Sequence, residues 1–177
     1  RRMATLALVF MSVVVVLGIL LAGPLIAVLA PGFDPAKAAF TVELTRIMFP
    51  FILLVSLAAL AMGMLNSRNV FGVPALASSF YNVGSIFGGV TLAWLLDPTF
   101  GPRALIGMAI GTLIGGFLQM AVQLPSLRKV GFRFAFDFGW GDPQVNRVLV
   151  LMLPAVIAAS AVQVNVMVNS IFASFLG

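Results

Sequence analysis

Long apolar runs, separated by short polar or proline-containing turns, organise this sequence. The clearest run extends from Ile47 to Leu65 and is interrupted only by one proline, one serine and one glycine. Arg46 precedes the run, and the polar sequence Asn-Ser-Arg-Asn follows it at residues 66–69. Because a helix needs roughly 20 residues to cross a bilayer, we predict a membrane-spanning helix here.

The same criterion, applied along the chain, predicts five membrane-spanning helices. Lipid cannot hydrogen-bond to the backbone, so each apolar run is expected to be helical, including the valines at residues 13–16. The predicted spans are residues 3–29, 46–65, 74–96, 103–124 and, in a helix that begins after residue 143, about 148–172. A short interfacial helix is predicted at residues 36–45, and proline and glycine predict turns at residues 30–35 and 97–102.

Composition supports an all-α, polytopic transmembrane bundle. The 177 residues are 62% hydrophobic and 8% charged, whereas a soluble domain carries about 25% charged residues. The sequence has no cysteine and no histidine, which excludes disulfides and the commonest zinc ligands. Because Asp, Glu, Lys and His are absent deep inside the spans, we predict neither an enzyme nor a metal or cofactor site.

Basic residues are distributed unevenly between the two ends of the predicted bundle. With five alternating spans, seven of them lie on the side of residue 1, namely Arg1, Arg2, Arg68, Arg128, Lys129, Arg133 and Arg147. Three lie on the other side, namely Lys37, Arg46 and Arg103. Cytoplasmic loops carry the excess of Lys and Arg, so residue 1 is predicted to be cytoplasmic and residue 177 external.

The segment between the fourth and fifth spans has an alternating aromatic pattern. In residues 131–141, GFRFAFDFGWG, a Phe or Trp occupies every second position from residue 132 to residue 140. A period of two predicts an extended backbone with one aromatic face. We interpret the segment as a strap at the membrane interface, where aromatic side chains are favoured. A basic and aromatic platform for lipid headgroups is the alternative; stacking on nucleic-acid bases is a third possibility, and we predict no nucleic-acid partner.

Gly107, Gly111 and Gly115 recur every four residues in the fourth span. This spacing puts all three on one helix face, where another helix can approach closely. Helix packing is the preferred interpretation, and a gating hinge is the alternative. Gln119 and Gln123 lie one turn apart near the end of the span and are predicted to form interfacial or interhelical hydrogen bonds.

Polar residues inside the spans are the candidates for contact with a substrate or an ion. Asn82 lies about one third of the way along the third span, among several serines. In the fifth span, Gln163 shares one face with three serines, whereas Asn165 and Asn169 form a group on roughly the opposite face. One helix cannot turn both faces to lipid, so at least one is expected to meet a neighbouring helix or a wet cavity. Interhelical hydrogen bonding is the alternative to a pathway role.

Five sequence blocks carry a family resemblance. They are APGF at residues 30–33, LTRIMFPFILLVSL from residue 44, LNSRNVFGVPA from residue 65, QLPSLRKVGF from residue 123 and MLPAVIAASAVQVNVMVNSIFASFL from residue 152. In order and spacing these blocks resemble the MurJ/MviN family, the bacterial flippases of lipid-linked peptidoglycan precursors. The resemblance extends along essentially the whole chain.

The resemblance implies a MOP-superfamily fold, in which two lobes of helices surround a central cavity. The chain would supply family helices three to seven: residues 1–127 most of the first lobe, residues 128–146 a cytoplasmic interfacial linker, and residues 147–177 the first helix of the second lobe. It further implies a bacterial inner-membrane protein that moves lipid II, a lipid-linked diphosphate sugar, by alternating access. Its partners would be this lipid, the membrane lipids and the remaining helices of the same protein.

The resemblance also gives roles to two asparagines. Asn82 matches a cavity-side asparagine of the fifth family helix. Asn169 matches a position where many relatives carry an aspartate proposed to bind a cation, and asparagine offers an oxygen there but no charge. The resemblance implies no resident cofactor and does not identify a coupling cation. The cavity arginines of the family lie in helices that this chain does not contain.

Two other functions remain open at this point. Another MOP-superfamily exporter, of polysaccharide lipids or of drugs, would share the same helices. A membrane scaffold that transports nothing would use the polar residues only to hold helices together.

Overall fold

A computed structural model describes residues 1–175 of the chain, and these residues form eight helices without a β-strand. The helices are α1 (Arg2–Leu20), α2 (Ala22–Leu29), α3 (Pro35–Met48), α4 (Pro50–Asn66), α5 (Gly72–Leu96), α6 (Ala104–Ala121), α7 (Leu124–Lys129) and α8 (Pro143–Ser174). Within the described residues, five helical stretches are long and apolar enough to cross a membrane. The predicted all-α, five-span fold is therefore confirmed. The end of the predicted segment 147–177, with residue 177, lies outside the described residues.

The first predicted span is two helices, α1 and α2, with a break at Leu21. Pro24 explains the break, since it has no amide hydrogen for the carbonyl of Leu20 and its ring crowds that carbonyl. The side chain of Arg46 lies beside the break, where Nε donates a hydrogen bond to the Ile19 carbonyl oxygen at 3.3 Å. Arg46 therefore contacts the end of α1 as well as lying near an end of the bundle.

The second span also differs from its predicted bounds. Helix α3 begins at Pro35, where the Asp34 carboxylate accepts hydrogen bonds from two first-turn amides, and it continues to Met48. Helix α4 follows after a single residue, Phe49, because Pro50 cannot donate to the turn before it. The predicted interfacial helix and span are therefore two nearly continuous helices, and Arg46 lies in the last turn of α3.

Helices α5 and α6 form the most extensive helix pair of the molecule. The three glycines at spacing four in α6 lie against α5, where a methyl group on Gly107 or Gly111 would overlap the backbone of Ala93 or Gly89. Gly84 returns the contact from α5, since a Cβ there would lie 2.9 Å from Cα of Gly115. Backbones this close gain dispersion contacts in lipid, where apolar burial gives little driving force between helices.

Two helix ends build a small apolar cluster at one end of the bundle. Helix α7 ends at Gly131, whose φ of 84° is left-handed, and the Phe132 amide then bonds back to the Leu127 carbonyl at 2.9 Å. Helix α4 ends in the same way at Asn69, with a φ of 59°. Both turns follow the Schellman pattern, which brings the next apolar residue back onto its helix. The cluster consists of Ala61, Leu65 and Leu127, with Val70 and Phe132 packed against it.

The connecting segment, residues 130–142, runs in extended form from α7 along the start of α1. Thr5 of α1 is fully buried, and its hydroxyl accepts a hydrogen bond from the Asp137 amide at 3.0 Å. Phe134, Phe136, Phe138 and Trp140 follow one another as a ladder of rings with centroids 5.1–6.1 Å apart. The segment therefore has the extended backbone and aromatic face that its alternating sequence predicts.

The basic residues predicted on the side of residue 1 meet at the same end, which we call the basic end and define by the start of α1, the α4–α5 turn, α7 and the connecting segment. Arg1 donates to the Arg133 carbonyl at 3.2 Å, and Arg68 lines one cavity together with Gly131 and Phe132. The structure thus supports the grouping of these charges.

Candidate functional site

Helix α8 contacts the rest of the chain only near its two ends within the described residues. At its start, Asp142 accepts a hydrogen bond from the Gln144 amide at 2.7 Å and forms an ion pair with Arg2. Near its other end, the Ser174 hydroxyl accepts a hydrogen bond from the Gly32 amide at 3.2 Å. Every residue from 146 to 170 is exposed. The middle of α8 therefore offers its polar faces to space that these residues leave open.

The buried ends show which face of α8 is turned towards the bundle. Val145 and Ser174 are 4% and 3% exposed, and Gln163 lies 18 positions after Val145. At 3.6 residues per turn, this separation corresponds to about five whole turns, so Gln163 shares the face of Val145 and Ser174. We infer that Gln163 faces the first four spans across the open space. Asn165 and Asn169 lie on the opposite face.

Asn165 and Asn169 form a pair within α8. Nδ2 of Asn169 donates to Oδ1 of Asn165 at 2.9 Å, and both side chains are exposed. Amide oxygens can join a site for a hard cation, but they bring no charge to it. Within residues 1–175, no group of three or more His, Cys, Asp and Glu side chains could hold a metal ion. The pair can therefore contribute oxygen ligands or interhelical hydrogen bonds.

Asn82 lies on a different part of the molecule from the α8 amides. It is exposed on α5, about a quarter of a turn from the glycine face that meets α6. Its neighbour Ser85 lies closer to α6, and Oγ of Ser85 is 3.5 Å from Oγ1 of Thr112. The structure does not gather Asn82, Gln163, Asn165 and Asn169 into one site, because α5 packs mainly on α6 whereas α8 contacts α2.

Gln123 is a buried hydrogen-bonding residue between helices. It is 0% exposed, and its Nε2 donates to the Ala58 carbonyl of α4 at 3.2 Å and to the Gln119 carbonyl at 3.0 Å. Its Oε1 is buried without a partner among the described residues. Gln123 thus makes the predicted interhelical hydrogen bond, to the Ala58 carbonyl of α4, and a second one to the backbone of Gln119.

The sequence does not predict how α8 is attached to α1. Arg2 lies 3.3 Å from the Asp137 carboxylate and also pairs with Asp142. The Gly139 amide, together with the Arg2 guanidinium, holds the pKa of Asp137 below its ordinary value. Two acidic residues near the start of a span and two arginines at the start of α1 were the available signals, but nothing in the sequence pairs them.

These observations define a class of protein: a multi-pass helical membrane protein whose last helix stands partly away from a closely packed group. The comparisons with known proteins then identify the family. A family model described as "Lipid II flippase MurJ" matches residues 1–177. The chain belongs to the MurJ family.

Individual relatives support this assignment. The chain is 37% identical over 169 residues to "Probable lipid II flippase MurJ" of Buchnera aphidicola subsp. Acyrthosiphon pisum, a match that covers 94% of this chain and 32% of the relative. It is 36% identical over 182 residues to "Lipid II flippase MurJ" of Burkholderia cenocepacia, covering 99% and 34%. The protein of the same family from Vibrio cholerae is 33% identical over 177 residues, covering 95% and 33%. The chain thus spans about one third of the length of these relatives.

Proposed function

We propose that this chain is part of a flippase that carries lipid II across the bacterial inner membrane by alternating access. The family match along all 177 residues is the observation that carries the proposal. The names of the relatives describe a transporter, and the proposal involves no covalent chemistry and no resident cofactor. Residues 1–127 would form most of the first lobe, residues 128–146 the linker and residues 147–177 the first helix of the second lobe.

The position of α8 supports this division into lobes. A helix that belongs to the second lobe should contact the first lobe little and should pack mainly on helices that follow it. Helix α8 meets the first four spans only near Arg2 and Gly32. Its Gln163 face is therefore assigned to the space between the lobes, and its Asn165–Asn169 face to the interior of the second lobe.

The polar side chains of this chain suit a supporting role towards the substrate. Asn82 and Gln163 are neutral amides, which can hydrogen-bond to sugar or phosphate oxygens but cannot neutralise a diphosphate. The cations for that charge would come from the remaining helices of the same protein. If a coupling cation binds near Asn169, its negative ligands must likewise come from outside this chain.

The sidedness follows from charge. The basic end carries seven of the ten Lys and Arg residues of the chain, and the excess of positive charge favours the cytoplasm. We propose that residue 1 is cytoplasmic, and that lipid II enters from the inner leaflet and leaves on the opposite side.

The experiment uses the full-length protein that contains this chain, expressed in a bacterium whose own lipid II flippase can be switched off. Lipid II on the outer face is measured by its cleavage with an enzyme that cannot cross the membrane. Restored exposure of lipid II and restored growth are expected. If the protein reaches the membrane in normal amount but restores neither, the lipid II assignment is wrong.

A further inference from the structure

Two adjoining cavities lie at the basic end of the bundle. The first has a volume of about 250 Å³ and is lined by apolar side chains of α1, α4, α6, α7 and the connecting segment, among them Leu8, Leu57 and Leu60. The second, of about 480 Å³, contains Arg128 and Arg133. The two cavities share a wall formed by Leu124, Leu127, Phe132 and Phe134. An apolar space therefore lies directly beside a cationic one.

The position of the arginines is fixed by the fold. Gly131 ends α7 and turns Phe132 back onto Leu127, so Arg128 and Arg133 come to the same cavity from either side of this turn. Both arginines are exposed. The structure contains two ion pairs within residues 1–175, and Arg2 makes both of them, with the carboxylates of Asp137 and Asp142. No ion pair within these residues therefore neutralises the two arginines of the cavity.

The apolar cavity belongs to the membrane-embedded part of the chain. Leu8 lies in α1, and Leu57 and Leu60 lie in the middle of α4, within predicted spans. Arg128 lies in the last turn of the membrane-crossing stretch Ala104–Lys129, and Arg133 lies in the segment that follows it, so we expect both at about the depth of lipid headgroups. Basic pockets between transmembrane helices at this depth bind anionic lipid headgroups.

We propose that the two cavities together bind one anionic phospholipid of the leaflet on the side of residue 1. Its phosphate is held by the guanidinium groups of Arg128 and Arg133, and one acyl chain enters the space beside Leu57 and Leu60. Arginine suits this role because its planar group binds phosphate through two parallel hydrogen bonds. A zwitterionic lipid gains less from two cations, and a soluble phosphate gains nothing from the apolar cavity.

The test uses the full-length protein in lipid nanodiscs made mainly of phosphatidylcholine. A trace of phosphatidylglycerol carries a photoreactive group halfway along one acyl chain, and the labelled peptides are mapped by mass spectrometry. Labelling is expected within residues 57–64 and 120–134. A phosphatidylcholine probe with the same reactive chain should label these peptides several-fold less.

Variants separate the two cavities. The Arg128→Gln/Arg133→Gln protein should bind the phosphatidylglycerol probe less tightly, by about fivefold for each arginine lost. The matched control, Arg103→Gln/Arg147→Gln, removes the same charge at positions that do not line either cavity and should label normally. Leu57→Trp should reduce labelling by filling the apolar cavity while every charge is kept. Thermal unfolding of each variant identifies any that is misfolded, and the phosphatidylcholine comparison tests the proposal on the wild-type protein alone.

Four results would overturn the proposal. Equal labelling by the two probes would show that the headgroup charge is not recognised. An equal loss in the control variant would show a general effect of surface charge. Displacement of the probe by micromolar lipid II, but not by phosphatidylglycerol, would assign the cavities to the transported lipid. Absence of label at both peptides in the wild-type protein would show that other helices cover the cavities.

Discussion

The α5–α6 pair and α8 are made of similar apolar sequence, yet they relate to the rest of the chain in opposite ways. In α6, Gly107, Gly111 and Gly115 bring the backbone against α5 along the full contact. In α8, residues 146–170 are all exposed, and contacts are confined to the two ends. Helices α5 and α6 find their packing partners in each other. Helix α8 has two polar faces that no other described residue covers, so other helices or water must contact them.

The difference comes from residue size and polarity. Small residues allow two backbones to approach, and once they have done so there is no room left for another group. The middle of α8 contains alanines as well as large aliphatic residues, and what distinguishes it is its amides, each of which requires a partner when it is buried. We therefore interpret α5–α6 as scaffold and α8 as the helix that meets polar parts of the proposed transporter.

The largest effect is expected from a substitution that forces α5 and α6 apart. Gly111→Ala puts a methyl group into the backbone of Gly89 and should destabilise the full-length protein by about 1–3 kcal/mol. Gly63→Ala is the matched control, because a methyl group there meets nothing within 4 Å. It should be neutral or stabilising by up to about 1 kcal/mol. Chemical unfolding in detergent measures both; equal effects would show that the close approach is not what stabilises the pair.

A smaller effect is expected where the connecting segment holds the start of α8. Thr5→Val removes the hydroxyl that accepts from the Asp137 amide, and the loss of this partly buried hydrogen bond costs about 0.5–1.5 kcal/mol locally. Hydrogen exchange of the Asp137 amide should accelerate by up to about tenfold, as about 1.4 kcal/mol corresponds to tenfold.

Thr41→Val serves as the control for Thr5→Val, since the Thr41 hydroxyl donates to the Lys37 carbonyl of its own helix. Exchange at Asp137 should be unchanged in this variant. If Thr5→Val also leaves exchange at Asp137 unchanged, the segment is not held through Thr5.

The smallest expected effect is that of low pH on the stability of the connecting segment. The pKa of Asp137 is lowered by the Gly139 amide and by Arg2, so the carboxylate stabilises the folded segment wherever it is ionised. This contribution is fully present above the ordinary pKa of 3.8 and is lost as the pH falls through the lower, folded value. Exchange in the connecting segment should stay constant from about pH 8 to about pH 5, after correction for intrinsic rates. A transition inside that range, or one that persists in Asp137→Asn, would contradict this assignment.

The sequence predicts the spans well because continuous apolar runs leave a helix as the only structure that lipid permits. The break at Leu21 was less predictable, since Pro24 lies among several prolines and Arg46 approaches it from another helix. Thr5 gave no signal either, because a threonine inside an apolar run resembles a lipid-facing residue. Its role depends on a segment 130 positions away in the chain.

The candidate site, like the fold, could be predicted from the sequence only in part. Helical spacing alone separates Gln163 from the Asn165–Asn169 pair. The direction of each face depends on contacts at Val145 and Ser174, which the sequence does not contain. The predicted roles of Asn82, Gln163, Asn165 and Asn169 at a substrate or ion pathway stay predictions.

We propose that α8 turns Gln163 to a wet space between the lobes and Asn169 to the interior of the second lobe. This chain has no cysteine, so Gln163→Cys or Asn169→Cys is a single probe once any cysteine elsewhere in the full-length protein has been replaced. Reaction of each with a membrane-impermeant maleimide, in cells and in inside-out vesicles, measures access from both sides. We predict that position 163 reacts at least tenfold faster than position 169. Equal rates, or faster reaction at position 169, would contradict it.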